Sequence, residues 1–175
     1  TAAAQSAVVR YMLRAYAAES SPGEALSRLN AAVITQTPNQ PFVTLVVAYI
    51  DVARHMFEYA CAGHPRPLVL AGRGEFPMPG EGNVPVGIFR GATYPTNRAV
   101  LPDDSCIVLY TDGIVEASPR GDRSRCFGVD RLAAAILAAP PTAKECCAAA
   151  LSALSDFTGA APLRDDATLL IAVVG

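Results

Sequence analysis

Two short apolar runs, each closed by carboxylates, limit most what this chain can become. Ile107 to Tyr110 runs on into Thr111-Asp112-Gly113, and Leu169 to Val174 is preceded by Asp165-Asp166. Runs this short, bounded by turn residues, read as buried strands rather than helices, which need roughly ten residues or more. A carboxylate at the mouth of a buried strand is held by that strand and faces solvent, the setting a hard divalent cation requires. Bringing the two mouths together would build half of a metal site.

The rest of the chain alternates between helix and strand signals. Ala2 to Glu19 has neither Gly nor Pro and sets Val8, Met12 and Tyr16 on one stripe, with Val9 and Leu13 beside it. Ser21-Pro22 then supplies a cap and a first helical residue, with Glu24 as the reaching carboxylate, for a helix that turns Ala25, Leu29 and Ala32 or Val33 inward. Thr35 to Pro41 reads as loop. Phe42 to Asp51 is almost continuous Val, Leu and Ile, the pattern of a strand buried on both faces. His55 to Cys61 and Pro67 to Ala71 are shorter strands flanking a turn at Gly63 to Pro65. Gly72 to Gly91 is a glycine- and proline-rich flap whose Pro85 to Phe89 segment docks on the core. Arg98 to Leu101, a turn at Pro102 to Ser105 and the Cys106 to Tyr110 strand follow, and Gly113 to Gly128 reads as loop. Helices over Val129 to Ala138 and Thr142 to Thr158 precede the last strand, Ala167 to Val174. Hairpin-length spacings at Asp51 to His55 and Ala62 to Arg66 favour antiparallel pairing over a doubly wound sheet. With 175 residues and no repeat or linker, the expectation is a single domain over residues 1–175.

Charge and cysteine usage remove several function classes. Lys and Arg number 14 against 16 acidic residues, without a basic block, so nucleic acid and anionic membranes are poor partners. No apolar stretch approaches a membrane span and the first residues lack a signal-peptide order, which points to the cytoplasm. Five cysteines without a C-x-x-C spacing argue against zinc and against a disulfide framework. Cys61-Ala-Gly-His-Pro-Arg66 imitates the phosphate loop of thiol phosphatases but is one residue short, and its strand context buries the sulfur, so no nucleophile is assigned to Cys61.

Phe42-Val-Thr-Leu-Val-Val-Ala-Tyr49, Ala62-Gly-His-Pro-Arg-Pro-Leu68, Pro85-Val-Gly87, Leu109-Tyr-Thr-Asp-Gly-Ile-Val-Glu-Ala117, Phe127-Gly128 and Arg164-Asp-Asp-Ala-Thr-Leu-Leu170 stand in an order and spacing that has a counterpart. Together they resemble the bacterial branch of the protein phosphatase 2C superfamily, the stage II sporulation protein E type, over essentially the whole chain. The resemblance implies an α+β fold: an antiparallel β-sandwich with helices on both outer faces. It implies hydrolysis of phosphoserine or phosphothreonine on a protein, commonly of the anti-anti-sigma type, by a water activated between two Mn2+ or Mg2+ ions. A homodimer is compatible with it. Carried over by position, Asp112 and Asp165 are metal ligands, and Asp166 stands where many relatives have asparagine. Gly113 would turn the backbone away so that Asp112 points into the cleft.

The resemblance also implies a departure. Family members carry a loop with a bridging aspartate before their first long helix, and Ser6 to Arg14 resembles the helix that follows that loop. The expectation is therefore that the first core strands and first catalytic loop are absent, that one metal or none is held here, and that activity is weak. His64 falls in a hairpin turn, Asp51, Asp103 and Asp104 in turns, and Glu116 on the surface near the Asp112 loop; none is assigned chemistry. Arg164 could contact phosphate, but a solvated surface arginine is the preferred reading. Three functions fit: a metal-dependent phosphoprotein phosphatase; an incomplete relative that docks a phosphoprotein without turnover; and a hydrolase of small phosphorylated molecules. A phosphopeptide and a small phosphoester assayed side by side separate the last from the first.

Overall fold

The computed structural model describes residues 2–36, 42–72, 74–159 and 162–175, with side chains from residue 7 onward. Its residues fall into two compact units. The first comprises Thr1–Arg66 with Pro79–Val100, and the second Pro67–Met78 with Leu101–Gly175.

In the first unit, helices α1 (Ala2–Ala17) and α2 (Pro22–Gln36) pack together, and α2 lies on an antiparallel sheet. That sheet contains β1 (Leu45–Asp51), β2 (Met56–Ala62) and, after a crossing through the second unit, β5 (Asn97–Val100), in the order β1-β2-β5. The core is Leu26, Leu29 and Val33 of α2 with Val9 of α1, against Val47, Ala60 and Ala62. Met12, Leu13 and Tyr16 pack beside it, whereas Val8 is 53% exposed and leaves the expected stripe. Period-3.6 geometry decides this: the buried arc runs through positions 9, 12, 13 and 16, and Val8 lies off its edge.

Strand β1 is not buried on both faces. Leu45, Val47 and Tyr49 alternate toward the helices, only Val47 is fully buried, and Ile50 is 39% exposed. Among the described residues β1 pairs with β2 alone, and a composition suited to a central strand stands at the end of the strand order. The flap does dock: Val86 is fully buried, Val43 and Val86 exchange two 2.9 Å backbone bonds, and the buried Asn30 donates to Phe89 O while accepting from Gly87 N. The expected loop at Thr35 to Pro41 lies largely outside the described residues, and α2 continues to Gln36.

In the second unit the sheet order is β4-β3-β6-β7, built from β3 (Leu68–Ala71), β4 (Gly74–Glu75), β6 (Ser105–Tyr110) and β7 (Leu169–Val174), all antiparallel. A one-turn helix, α3 (Asp112–Val115), follows β6, where the sequence reads as loop. Helices α4 (Gly128–Leu137) and α5 (Ala143–Thr158) pack against each other and the sheet. Leu132, Ile136, Cys146, Ala150 and Leu154 bury their apolar stripes against Leu68, Leu70, Cys106 and Val108. Thr142 caps α5, its hydroxyl accepting from Glu145 N, and Gly159 ends it in the left-handed region. Both units therefore have the expected α+β class, an antiparallel sheet flanked by helices. No described helix is long and apolar enough to cross a membrane.

Candidate metal site

Strands β6 and β7 pair over six rungs, from Ser105 opposite Val174 to Tyr110 opposite Leu169. The pairing then continues past both strand ends. Thr111 N donates to Thr168 O at 3.1 Å, and the Thr111 hydroxyl accepts from Thr168 N at 2.9 Å while donating to Asp166 O at 3.0 Å. This fastening brings the Asp112 mouth against the Asp165-Asp166 mouth, two segments more than fifty residues apart in sequence.

Gly113 permits the approach. A Cβ at this position would stand 2.5 Å from Asp166 O and 3.0 Å from Asp166 C, distances at which backbone must move. Its φ is not positive, and it sits inside α3 rather than at a sharp turn. The expected reason for a glycine here is thus replaced by another: absence of a side chain where two backbones touch.

Asp112, Asp165 and Asp166 are all exposed. Asp112 Oδ1 accepts from Gly113 N at 2.9 Å, and Asp165 Oδ1 accepts from Asp166 N at 2.8 Å. Each of these two carboxylates is therefore oriented by an adjacent amide and keeps a second oxygen without a partner among the described residues. These are hard oxygen donors, suited to Mg2+ or Mn2+ rather than to zinc or copper. Among the described residues, no three His, Cys, Asp or Glu side chains come together as a group that could hold a metal. The donor chemistry fits a divalent cation, while the set is short of a full coordination shell.

Beside the acidic mouths lies a cleft of about 290 Å3, with Glu116, Ser118, Arg164 and Asp165 as its polar lining and Gly113 at one wall. Glu116 and Arg164, which sequence reading leaves on the open surface, border this cleft. Their proximity depends on the fold of α3 and the segment before β7, which local pattern does not encode.

Other candidates resolve structurally. Cys61 is buried, which pushes its thiol up to about 11 despite the opposing charge of Arg66, and Arg66 donates to Gly80 O. A thiol so held is protonated at neutral pH and no nucleophile. The Nδ1 of His64 lies 2.9 Å from Pro65 O in the turn after β2. Asp51 accepts from Arg54 N and pairs with the Arg54 guanidinium at 2.8 Å. Asp104 occupies its turn at φ 59°.

The fold is the one found in protein phosphatase 2C domains of bacteria. The model of the stage II sporulation protein E (SpoIIE) family matches residues 1–175, and the chain belongs to that family. It is 28% identical over 75 residues to the phosphoserine phosphatase RsbP of Bacillus subtilis (strain 168), an alignment covering 43% of this chain and 19% of RsbP. It is similar to the RsbU and RsbW domains of Rv1364c from Mycobacterium tuberculosis, with a TM-score of 0.74 and 28% identity, across 93% of this chain and 45% of that one. The SpoIIE phosphatase domain of Bacillus subtilis, in manganese-presoaked form, matches at a TM-score of 0.65 and 14% identity, over 94% of this chain and 70% of that one. The chain thus spans less than half the length of the first two.

Proposed function

We propose that residues 1–175 are a single metal-dependent protein phosphatase domain that hydrolyses phosphoserine or phosphothreonine on a regulatory protein of the anti-anti-sigma type. The observation that carries this reading is the fastening of Thr111-Asp112-Gly113 onto Asp165 to Thr168, which sets two carboxylate mouths side by side. Family membership and the phosphoserine specificity in the name of RsbP support the same chemistry.

Asp112 and Asp165, with Asp166 adjacent, would hold Mn2+ or Mg2+, the ions with which the SpoIIE domain was presoaked and RsbX was crystallised. When bound, such a cation neutralises phosphoryl charge and lowers the pKa of water toward neutrality. The chain's own contribution is orientation: the Gly113 and Asp166 amides fix the carboxylates, and Thr111 fixes the distance between their backbones. Two or three exposed carboxylates leave most of the six positions a cation of this type fills to water, so affinity is weak and turnover slow.

A second reading, a phosphoprotein-docking module without turnover, is favoured by the shortage of a third grouped ligand among the described residues. Assays with Mn2+ against p-nitrophenyl phosphate and a phosphoserine protein separate the two. Slow, cation-dependent turnover that Asp112→Asn abolishes, with an unchanged circular dichroism spectrum, is expected. Phosphoprotein binding without turnover selects the docking module. Turnover indifferent to Asp112→Asn removes that residue and the metal site with it.

A further inference from the structure

The cleft beside the two acidic mouths has an uneven charge lining. Among its polar side chains Glu116 and Asp165 are acidic, Ser118 is neutral, and Arg164 is the basic one. Arg164 makes no hydrogen bond or ion pair among the described residues, and neither does the Ser118 hydroxyl. Some arginines are occupied, as Arg54 by Asp51, Arg98 by Glu58, Arg66 by Gly80 O and Arg131 by Cys126 O and Phe127 O; what sets Arg164 apart is that it is unpaired and lines this cleft. A guanidinium left unpaired at a concave wall presents a rigid fork of donors that matches the oxygens of a phosphomonoester.

Resting on the phosphatase reading, we infer that Arg164 is the phosphate-recognition residue of this cleft, binding the phosphoryl oxygens of a phosphorylated serine or threonine side chain. Ser118 adds a neutral donor to the lining, and Ala117, Pro162 and Leu163 give apolar surface that a peptide stem packs against. Electrostatics makes this recognition conditional. With two carboxylates against one guanidinium, the cleft repels a dianion until a divalent cation offsets Asp165. Phosphopeptide binding through Arg164 is therefore cation-dependent, and Arg164 contributes to affinity rather than to the chemical step.

Equilibrium binding reads this out independently of turnover. A fluorescent phosphoserine peptide and its unphosphorylated counterpart are titrated, with and without Mn2+, into the wild-type chain, Arg164→Ala and Arg164→Lys. Arg164→Ala is expected to weaken phosphopeptide binding roughly tenfold to a hundredfold, the value of a hydrogen bond to a charged group. It leaves Mn2+ affinity and binding of the unphosphorylated peptide unchanged, and Arg164→Lys recovers part of the loss. Because Arg164 is exposed, melting curves of the variants should overlay the wild type. Wild-type protein that does not distinguish the two peptides, or an Arg164→Ala variant within twofold of wild type, overturns the inference. If Arg164→Ala behaves as expected while the wild-type chain turns over neither p-nitrophenyl phosphate nor a phosphoserine protein with Mn2+, the phosphatase reading fails and the recognition site stands.

Discussion

The β1–β2 hairpin and the β6–β7 mouth both end apolar strands in carboxylates, yet the two regions treat them differently. At the hairpin, Asp51 takes the Arg54 amide and guanidinium, and these bonds hold its carboxyl below the ordinary carboxylate range. At the mouth, Asp112 and Asp165 take only the amide of the next residue, and no cationic side chain pairs with them among the described residues. An acid whose counter-charge is built in stabilises a turn. An acid that is oriented but not neutralised is what the proposed cation site calls for.

The largest way to break this contrast is to separate the two mouths. Gly113→Ala would drive a methyl into the Asp166 carbonyl and is expected to cost about 1–3 kcal/mol, as overpacking does, while lowering Mn2+ affinity. Gly82, exposed and with open space around its Cβ position, is the control: Gly82→Ala should leave the denaturation midpoint unchanged. A tolerated Gly113→Ala would show that the mouths need not touch.

A smaller effect is expected from the fastening itself. Thr111→Val removes the hydroxyl that bonds Asp166 O and Thr168 N, at about 1 kcal/mol by urea denaturation, and Thr111→Ser restores it. Arg54→Ala, which opens the hairpin's exposed ion pair, should not shift the melting temperature measurably. Equal losses at the two sites would erase the distinction.

A different effect, one of pH, concerns a property the two regions share. Burial pushes the Cys61 thiol up to about 11, and burial together with the neighbouring Cys146 and Cys147 pushes Cys106 up to about 12. Both thiols stay protonated in the folded chain where the unfolded chain, titrating near 9, has released its protons. Stability therefore falls as pH rises from about 9 toward 12. At pH 8 a thiol reagent should modify the exposed Cys126 first and spare Cys61 and Cys106; rapid labelling of either buried thiol would contradict this.

Much of this was readable from residue order, and the misses share a cause. Helices α4 and α5 and strands β6 and β7 follow from strong local periodicity and fall within a few residues of expectation. Val47 and Ile50 look alike in sequence, but whether a strand lies inside or at the edge of a sheet is a non-local fact. Helix α3 is a single turn, too short to show a period. Gly113 was legible as special, but its reason lies fifty-three residues away, at Asp166. Arg164 reads as a solvated arginine until the cleft is assembled around it.

The six-rung ladder between β6 and β7 has a consequence for evolution and engineering alike. A slip of one residue would carry a carboxylate roughly 3.4 Å along its strand and turn its side chain to the opposite face. The greasy interior thus acts as a ruler for the polar end: exchanging Val108 or Ile171 for a residue of different bulk reaches the acids without altering any of them.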